Sequence, residues 1–399
     1  MKLIYDIEKR AIDFFLDYTN LEDDSKGFGL VVDDTSDLNV ASIAASGFFL
    51  SALIIAERRK ILKKEKAIEY AIKTLKTFYY HVDHYQGFFA HFVNIKTAKR
   101  HNNSEYSTID TVLFLLGMMS VQQYFKEEKI NYYSDLIIKR INFEEFVYLK
   151  DNKHTFYMSY NKDDKRVPNN NGFIYHWSMF AEQIPLYLIY AGLGYDHAYE
   201  LYYNFERLVG EHHGIEYIYS PGNALFIYQY PLCYLDLKGI EDELGVNWLL
   251  NAEKAIKAHQ KLAEELTSVF KTLNKYAFGG FTALKTKHGY RVFGALPNVD
   301  DKINTDGTVA PHAVVGSLSI ANKIALEGIE YLYNQPGLYQ KYGFVSGYNL
   351  DLNWVSKYYL AIDKGLELLM SNAYLSNDVR KAFMDHPLVK KGMKVLKWR

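Results

Sequence analysis

Apolar residues recur at three- and four-residue spacing along most of this chain, the period of helices with one face turned inward. The pattern predicts helices over 4–19, 40–58, 64–81, 107–125, 128–141, 178–191, 198–209, 222–236, 245–273, 311–333, 352–371 and 376–397, most of them ending near Gly, Asn or a charged cluster. Two kinds are present. The stretches Ala41-Ser-Ile-Ala-Ala-Ser-Gly-Phe-Phe-Leu-Ser-Ala-Leu-Ile-Ile-Ala56 and Val112-Leu-Phe-Leu-Leu-Gly-Met-Met119 are apolar nearly all round, which in water demands a layer screened by other helices. Lys64-Glu-Lys-Ala-Ile-Glu-Tyr-Ala-Ile-Lys-Thr-Leu-Lys76 alternates charge with apolar residues and reads as an outer helix. Inner and outer helices in alternation predict an all-α fold, a double-layered (α/α) six-hairpin barrel whose inner helices converge on a funnel. An irregular helical-repeat array is the competing architecture.

The helices are separated by long irregular segments at 20–39, 82–106, 143–176, 210–222 and 274–310. Loops of such length in a compact domain usually carry function. Period-two runs within them, Gly87-Phe-Phe-Ala-His-Phe-Val93 and Phe278-Gly-Gly-Phe-Thr-Ala-Leu284, predict small β-hairpins on the active-site rim. No Pro/Gly/Ser-rich linker interrupts the chain, so residues 1–399 read as one domain.

Composition narrows the partners. With 46 basic and 47 acidic residues, the net charge of −1 provides no field to attract nucleic acid or an anionic membrane, and a neutral ligand is favoured. Aromatic residues make up 16%, with 35 Tyr against 24 Phe; such a bias fits a wet, aromatic-lined cleft or a Tyr-rich core equally well. The first ten residues lack the pattern of a secretory signal, and no uncharged apolar run is long enough to span a membrane. Cys233 is the single cysteine, which excludes an internal disulfide. A cytoplasmic location is expected, a leader trimmed from this sequence aside. No metal and no cofactor is expected: apart from His212-His213 the histidines are scattered, and neither a phosphate-cradling Gly loop nor a GxSxG elbow occurs.

The chemistry concentrates on carboxylates at the mouths of apolar helices. Glu182 interrupts a run of apolar and aromatic residues from Trp177 to Leu193, about one turn into the predicted helix. A carboxyl buried there has a raised pKa, as a general acid at neutral pH requires, unless a buried cation or the helix N-terminus satisfies it. Asp110 follows Ser107 by three residues at the start of another apolar helix, where it serves either as a capping-box acid or as a catalytic one. Glu105, in the loop just before, is either a solvated loop acid or a member of the site. Paired carboxylates flanking one bond are the minimum machinery for glycoside cleavage, and aromatic faces are the usual platform for a pyranose ring. Substrate contacts are expected from Trp177 and Trp354 as stacking rings, from Tyr106, from His91 and Arg100 flanking the Glu105 loop, from Gln229 and Tyr230 within an apolar helix, and from Asp306 in the turn Asp306-Gly-Thr-Val-Ala-Pro311.

Six motifs in order, Ala41-Ser-Ile-Ala-Ala-Ser-Gly-Phe, Gly87-Phe-Phe-Ala-His-Phe-Val, Glu105-Tyr-Ser-Thr-Ile-Asp-Thr, Trp177-Ser-Met-Phe-Ala-Glu, Asp306-Gly-Thr-Val-Ala-Pro and Tyr359-Leu-Ala-Ile-Asp-Lys-Gly, resemble the glycoamylase-like domain family. That family includes the endo-β-1,2-glucanases of glycoside hydrolase family 144 and the transglycosylating domain of cyclic β-1,2-glucan synthases. The resemblance implies an (α/α) barrel that hydrolyses β-1,2-glucan or related β-linked gluco-oligosaccharides without metal or cofactor, with Asp110 and Glu182 at the positions of the family's acids. A β-1,2-glucan transglycosylase, or a non-catalytic oligosaccharide-binding protein on the same fold, is the alternative. Ser107 stands where some hydrolases have a further Asp, and Glu105 belongs to the form resembling the synthase-associated branch. Lys285 and Lys364 stand where Asp and Gln are expected, and Ser371-Asn-Ala-Tyr374 lacks the acid that usually precedes the Asn.

Overall fold

The computed structural model describes residues 1–150, 153–164 and 171–399. Helices dominate it: α1 (Lys2–Asp17), α2 (Ile43–Arg58), α3 (Lys64–Tyr80), α4 (Thr108–Phe125), α5 (Glu128–Arg140), α6 (Ile184–Leu193), α7 (Ala198–Asn204), α8 (Phe226–Gln229), α9 (Trp248–Glu265), α10 (Pro311–Val315), α11 (Asn322–Tyr333), α12 (Ala361–Leu375), α13 (Asp378–Met384) and α14 (Pro387–Val395). The first five begin and end within three residues of the sequence pattern. Ser42 and Ser107 cap α2 and α4, accepting from the N–H groups of Ala45 and Asp110, which satisfies donors that the helix itself leaves open.

Later helices are shorter than periodicity predicts. The run 222–236 stops as α-helix at Gln229 and continues as a 3₁₀ turn from Pro231 to Cys233, because Pro231 lacks an N–H and clashes with the preceding turn. The run 376–397 is two helices separated at Pro387. The run 311–333 is also two, α10 and α11, and 352–360 is not helical at all: Trp354–Val355 pairs with Tyr348–Asn349 in a hairpin. The run 178–191 begins late. Phe180 N–H and Glu206 N–H bond to the carbonyls of Glu206 and Ser178, so the chain is extended there, and Pro185 fixes the start of α6.

Helices α2, α4, α6 and α12 are buried along nearly their whole length, whereas α3, α5, α9 and α11 bury one side. α2 and α4 meet backbone to backbone, for a Cβ on Gly117 would lie 2.0 Å from the Gly47 carbonyl oxygen. Any larger residue at either position forces the two inner helices apart. α12 packs on α1, α2 and α10, so the last long inner helix returns to the first. One apolar core runs from Ile4 to Trp398.

Small antiparallel sheets decorate the helices. Val31–Asp34, Asp37–Ser42 and Phe92–Asn94 form one, and Ala283–Thr286 pairs with Gly289–Val292. The expected hairpin at 87–93 takes the form His84–Tyr85 paired with Phe88–Phe89. Segment 143–176, read as irregular, contains strands Val147–Lys150, Lys153–Tyr160 and Phe173–His176, which join Tyr106–Ser107 in a four-stranded sheet; residues 151–152 and 165–170 of that segment lie outside the described residues.

Candidate active site

A cavity of about 190 Å³ is lined by His91, Ile109, Asp110, Leu113, Glu182, Phe226, Tyr230, Ala283, Tyr290, Ile362 and Asp363. Its acids come from helix N-termini. Asp110 is in the first turn of α4 and Asp363 in the first turn of α12. Glu182 lies two residues ahead of α6 rather than one turn inside it. Backbone N–H groups and the helix dipole favour negative charge at each of these ends, so the fold gathers carboxylates that would repel one another elsewhere.

Glu182 is half-buried and borders the cavity. Burial raises its carboxyl to about 7; its own backbone N–H opposes the shift, and the charge of Asp110 adds to it. His91 lies between two other acids, with Nδ1 2.8 Å from Glu105 Oε1 and Nε2 3.5 Å from Asp110 Oδ1. Burial disfavours the imidazolium, but Asp110, Glu105 and Asp33 outweigh it and hold the ring at about 9. The ring is therefore cationic at neutral pH and bridges Glu105 to Asp110. Asp33, at the end of strand Val31–Asp34, is raised to about 6 by burial, with His91 working in the other direction.

The structure sorts the expected site residues into three groups. Glu182, Asp110, His91 and Tyr230 line the cavity, and Glu105 joins them through His91. Arg100 and Tyr106 belong to an adjoining loop: the guanidinium donates to Ser104 O and Asn161 Oδ1 and covers the Tyr106 ring at 5.0 Å. The others lie elsewhere. Trp177 is 6% exposed, and its indole N–H donates to Thr108 Oγ1 at 3.1 Å; it is a core residue that braces the start of α4, not a ring on the cavity. Gln229 is buried with Nε2 bonded to Ala313 O and Ser317 Oγ. Asp306 closes its turn by accepting from Thr308 N–H, and Trp354 sits in the hairpin with Tyr348–Asn349. An aromatic or amide in an apolar run has no visible direction in sequence; Trp177 and Gln229 turn into the core and Asp306 into its own turn, while Trp354 is half-buried in its hairpin.

Asp33, Tyr290, Phe226 and Asp363 were not foreseen as site residues. Asp363 stood within a quoted motif, so a signal existed; its Oδ2 approaches buried His312 Nδ1 to 3.2 Å, without the alignment of a hydrogen bond. Tyr290 and Asp33 come from hairpins about 260 residues apart in sequence, and only folding joins them. The unexpected lysines are both neutralised locally. Lys285 pairs with Asp34 and donates to Ser36 Oγ at 2.8 Å. Lys364, fully buried, lies 2.6 Å from Glu367 Oε2 and donates to the carbonyls of Phe344 and Tyr342.

Among the described residues, two groups have metal-ligand chemistry, His154/His197/Glu200 and His212/His213/Glu265, and neither borders this cavity. No helix among those residues is long and apolar enough to cross a membrane.

A family model described as "Putative glucoamylase" matches residues 174–387, more than half of the chain. The chain belongs to this glycoamylase family. The matched region carries Glu182, Tyr230, Tyr290 and Asp363, while Asp33, His91, Glu105 and Asp110 precede it. An exo β-1,2-glucooligosaccharide sophorohydrolase (non-reducing end) of Parabacteroides distasonis is 23% identical over 394 residues, covering 89% of this chain and 53% of the relative. The chain thus spans about half the length of that curated relative. Among solved structures, the endo-β-1,2-glucanase from Chitinophaga pinensis, in complex with sophorotriose and glucose, superposes with a TM-score of 0.84 at 20% identity, covering 100% of this chain and 98% of the other. The β-1,2-glucanase from Parabacteroides distasonis gives 0.85 at 20% identity, covering 99% of this chain and 60% of that one. At these identities the structural likeness establishes a shared fold.

Proposed function

We propose that this member of the glycoamylase family hydrolyses β-1,2-linked gluco-oligosaccharides, with Glu182 as the proton donor and Asp110 as the second carboxylate. One observation carries the reading: two acids from different helix N-termini face one cavity, and burial among its neighbours raises one of them, Glu182, to about 7. At neutral pH such a carboxyl still holds a proton in a large share of molecules and gives it to the glycosidic oxygen as the bond breaks. Asp110, held against the His91 imidazolium, activates water or attacks the anomeric carbon from the other side. Glu105 orients His91 and acts through it. Phe226, Tyr230 and Tyr290 offer ring faces to the CH surfaces of glucose, and Tyr230 is held in place by donating to Ile362 O at 3.2 Å.

The choice of β-1,2 linkage draws on the activities named for the sophorohydrolase and the two glucanases above. The buried inner helices, their alternation with half-buried outer ones and the return of α12 to α2 support reading the fold as a closed (α/α) barrel forming one domain. The test is a product profile by thin-layer chromatography or mass spectrometry on linear β-1,2-glucan, with β-1,3- and α-1,4-glucan as controls. Release of short β-1,2-linked products from the first substrate alone is expected. Turnover of α-1,4-glucan instead, or longer products than substrate, overturns hydrolysis of β-1,2 bonds, the second in favour of transglycosylation.

A further inference from the structure

A roomier cavity lies away from the one that holds the acids. Its volume is about 590 Å³, and it opens between the segment after Cys233, α9, the turn entering α11, and the far end of α12 with α13. α12 connects the two cavities. Asp363 in its first turn borders the catalytic one, while Ala373 borders this one, ten residues or about 15 Å further along the axis.

Arg380 lines the second cavity and is 6% exposed. Its Nε donates to Leu232 O at 2.7 Å and its Nη2 to Ser319 Oγ at 2.6 Å and Met370 Sδ at 3.5 Å. All of these acceptors are neutral. No carboxylate of the described residues stands within ion-pair distance, and Nη1 has no acceptor among them. A buried cation without a counter-charge is costly to keep. The one acid placed to act on it, Asp236, is bonded to Asn377 Nδ2 at 3.0 Å. Asn377 in turn leaves its Oδ1 buried without a donor.

A second feature converges on the same space. α11 has Ala321 at its N-cap and no side-chain cap. Asn322, Lys323 and Ile324, its first turn, line the cavity, and no acceptor among the described residues reaches their N–H groups. Lys238 and Lys257 stand at the mouth, where Lys257 already holds Glu253 at 2.6 Å. Open N–H groups at a helix start, beside a guanidinium with a free edge, form the donor set that a phosphoryl group takes. The space exceeds what a lone phosphate fills.

We propose that this cavity binds a small hydroxylated phosphomonoester, whose phosphoryl oxygens accept from the first-turn N–H groups of α11 and from Arg380 Nη1 while a hydroxyl donates to Asn377 Oδ1. The site is independent of the carboxylates at the other end of α12, so its failure would leave the hydrolase reading untouched.

Isothermal titration calorimetry on the full chain with glycerol 3-phosphate, inorganic phosphate and glycerol tests it. Glycerol 3-phosphate should bind more tightly than phosphate, and glycerol should not bind. Ala321→Asp supplies the missing cap and puts a carboxylate where the phosphoryl group sits. It should keep or raise the melting temperature while weakening glycerol 3-phosphate by roughly ten-fold or more, the worth of one charge-assisted contact. Arg380→Gln should weaken binding similarly; should that variant fail to fold, Ala321→Asp decides alone. Absence of heat with both phosphates at millimolar concentration, binding of glycerol as strong as that of its phosphate, or unchanged affinity in Ala321→Asp would overturn the proposal.

Discussion

Replacing Glu182 by Gln should make this protein more stable and nearly inactive at once. The carboxyl ionises near 4.5 in an unfolded chain and near 7 in the fold. Below pH 4.5 it is protonated in both states, and the amide, a mimic of the neutral acid, changes little. Between 4.5 and 7 the unfolded state releases the proton and the folded state does not, so the native protein loses stability as pH rises. Above 7 both states are ionised and the loss is complete. At 1.36 kcal/mol per unit it amounts to about 3 kcal/mol. With an unfolding entropy of about 2.1 cal/mol/K per residue over the 399 residues, that is about 4 °C in melting temperature. Glu182→Gln should therefore melt about 4 °C above the native protein at pH 8.5 and within a degree of it at pH 4. Its rate on β-1,2-gluco-oligosaccharide should fall by about 10²–10⁴-fold, the usual worth of a general acid. The native rate itself should decline as pH passes about 7, where the donor loses its proton. Differential scanning calorimetry at the two pH values, beside initial rates on the same preparations, makes the comparison. Wild-type rates would remove Glu182 from the chemistry, and an equal melting temperature at pH 8.5 would mean the carboxyl is not held in a dry site.

Asp110→Asn should abolish turnover, and because Ser107 and not Asp110 supplies the side-chain cap of α4, any melting loss should come from the broken pairing with His91 and shrink as pH rises through about 9; Ser107→Ala should instead cost about 0.5–2 kcal/mol by calorimetry. His91, raised to about 9 by its three acids, adds stability that is fully present below pH 6.5 and fades as pH rises through 9. ¹³C-edited NMR titration of the ring should place its midpoint well above 7 in the native protein and lower in Glu105→Gln; a midpoint at or below 6.5 would contradict the bridge. Trp177→Ala should lose about 3–5 kcal/mol in denaturant unfolding, with any rate defect independent of oligosaccharide length. A defect growing with length would return Trp177 to the sugar-binding wall.

The early helices were legible because each buries a continuous stripe or its whole circumference, and burial of that kind is written in local periodicity. Ala41–Ala56 and Val112–Met119 could be assigned to an inner layer without coordinates, since nothing else satisfies a helix apolar on every side. The same logic located Glu182 and Asp110: a carboxylate in an apolar run is conspicuous wherever the helix goes. Local signals also misled where two structures share one pattern. Glu182 looked helical because the residues before Pro185 are as apolar as those after it, and only the pairing of residues 178–180 with Glu206 shows that the helix starts later and leaves Glu182 in a turn ahead of it.

What the tertiary structure alone decided is which polar groups meet. Asp33, His91, Tyr290 and Asp363 come from four parts of the chain far apart in sequence; His91 and Asp363 stood in quoted motifs, but nothing there said which groups they would meet. His91, Tyr290 and Asp363 meet because the segments that carry them converge on one cavity, and Asp33 acts on His91 beside it. The elevated values of Glu182, Asp33 and His91 follow from the same convergence, because desolvation and mutual charge depend on distances that no local pattern encodes. Trp177 shows the converse. An aromatic ring beside a candidate acid reads equally as platform or as core, and its direction was set by Thr108, sixty-nine residues away, accepting its indole proton. Sequence determined what each segment must bury; packing determined which charges had to share the space left over.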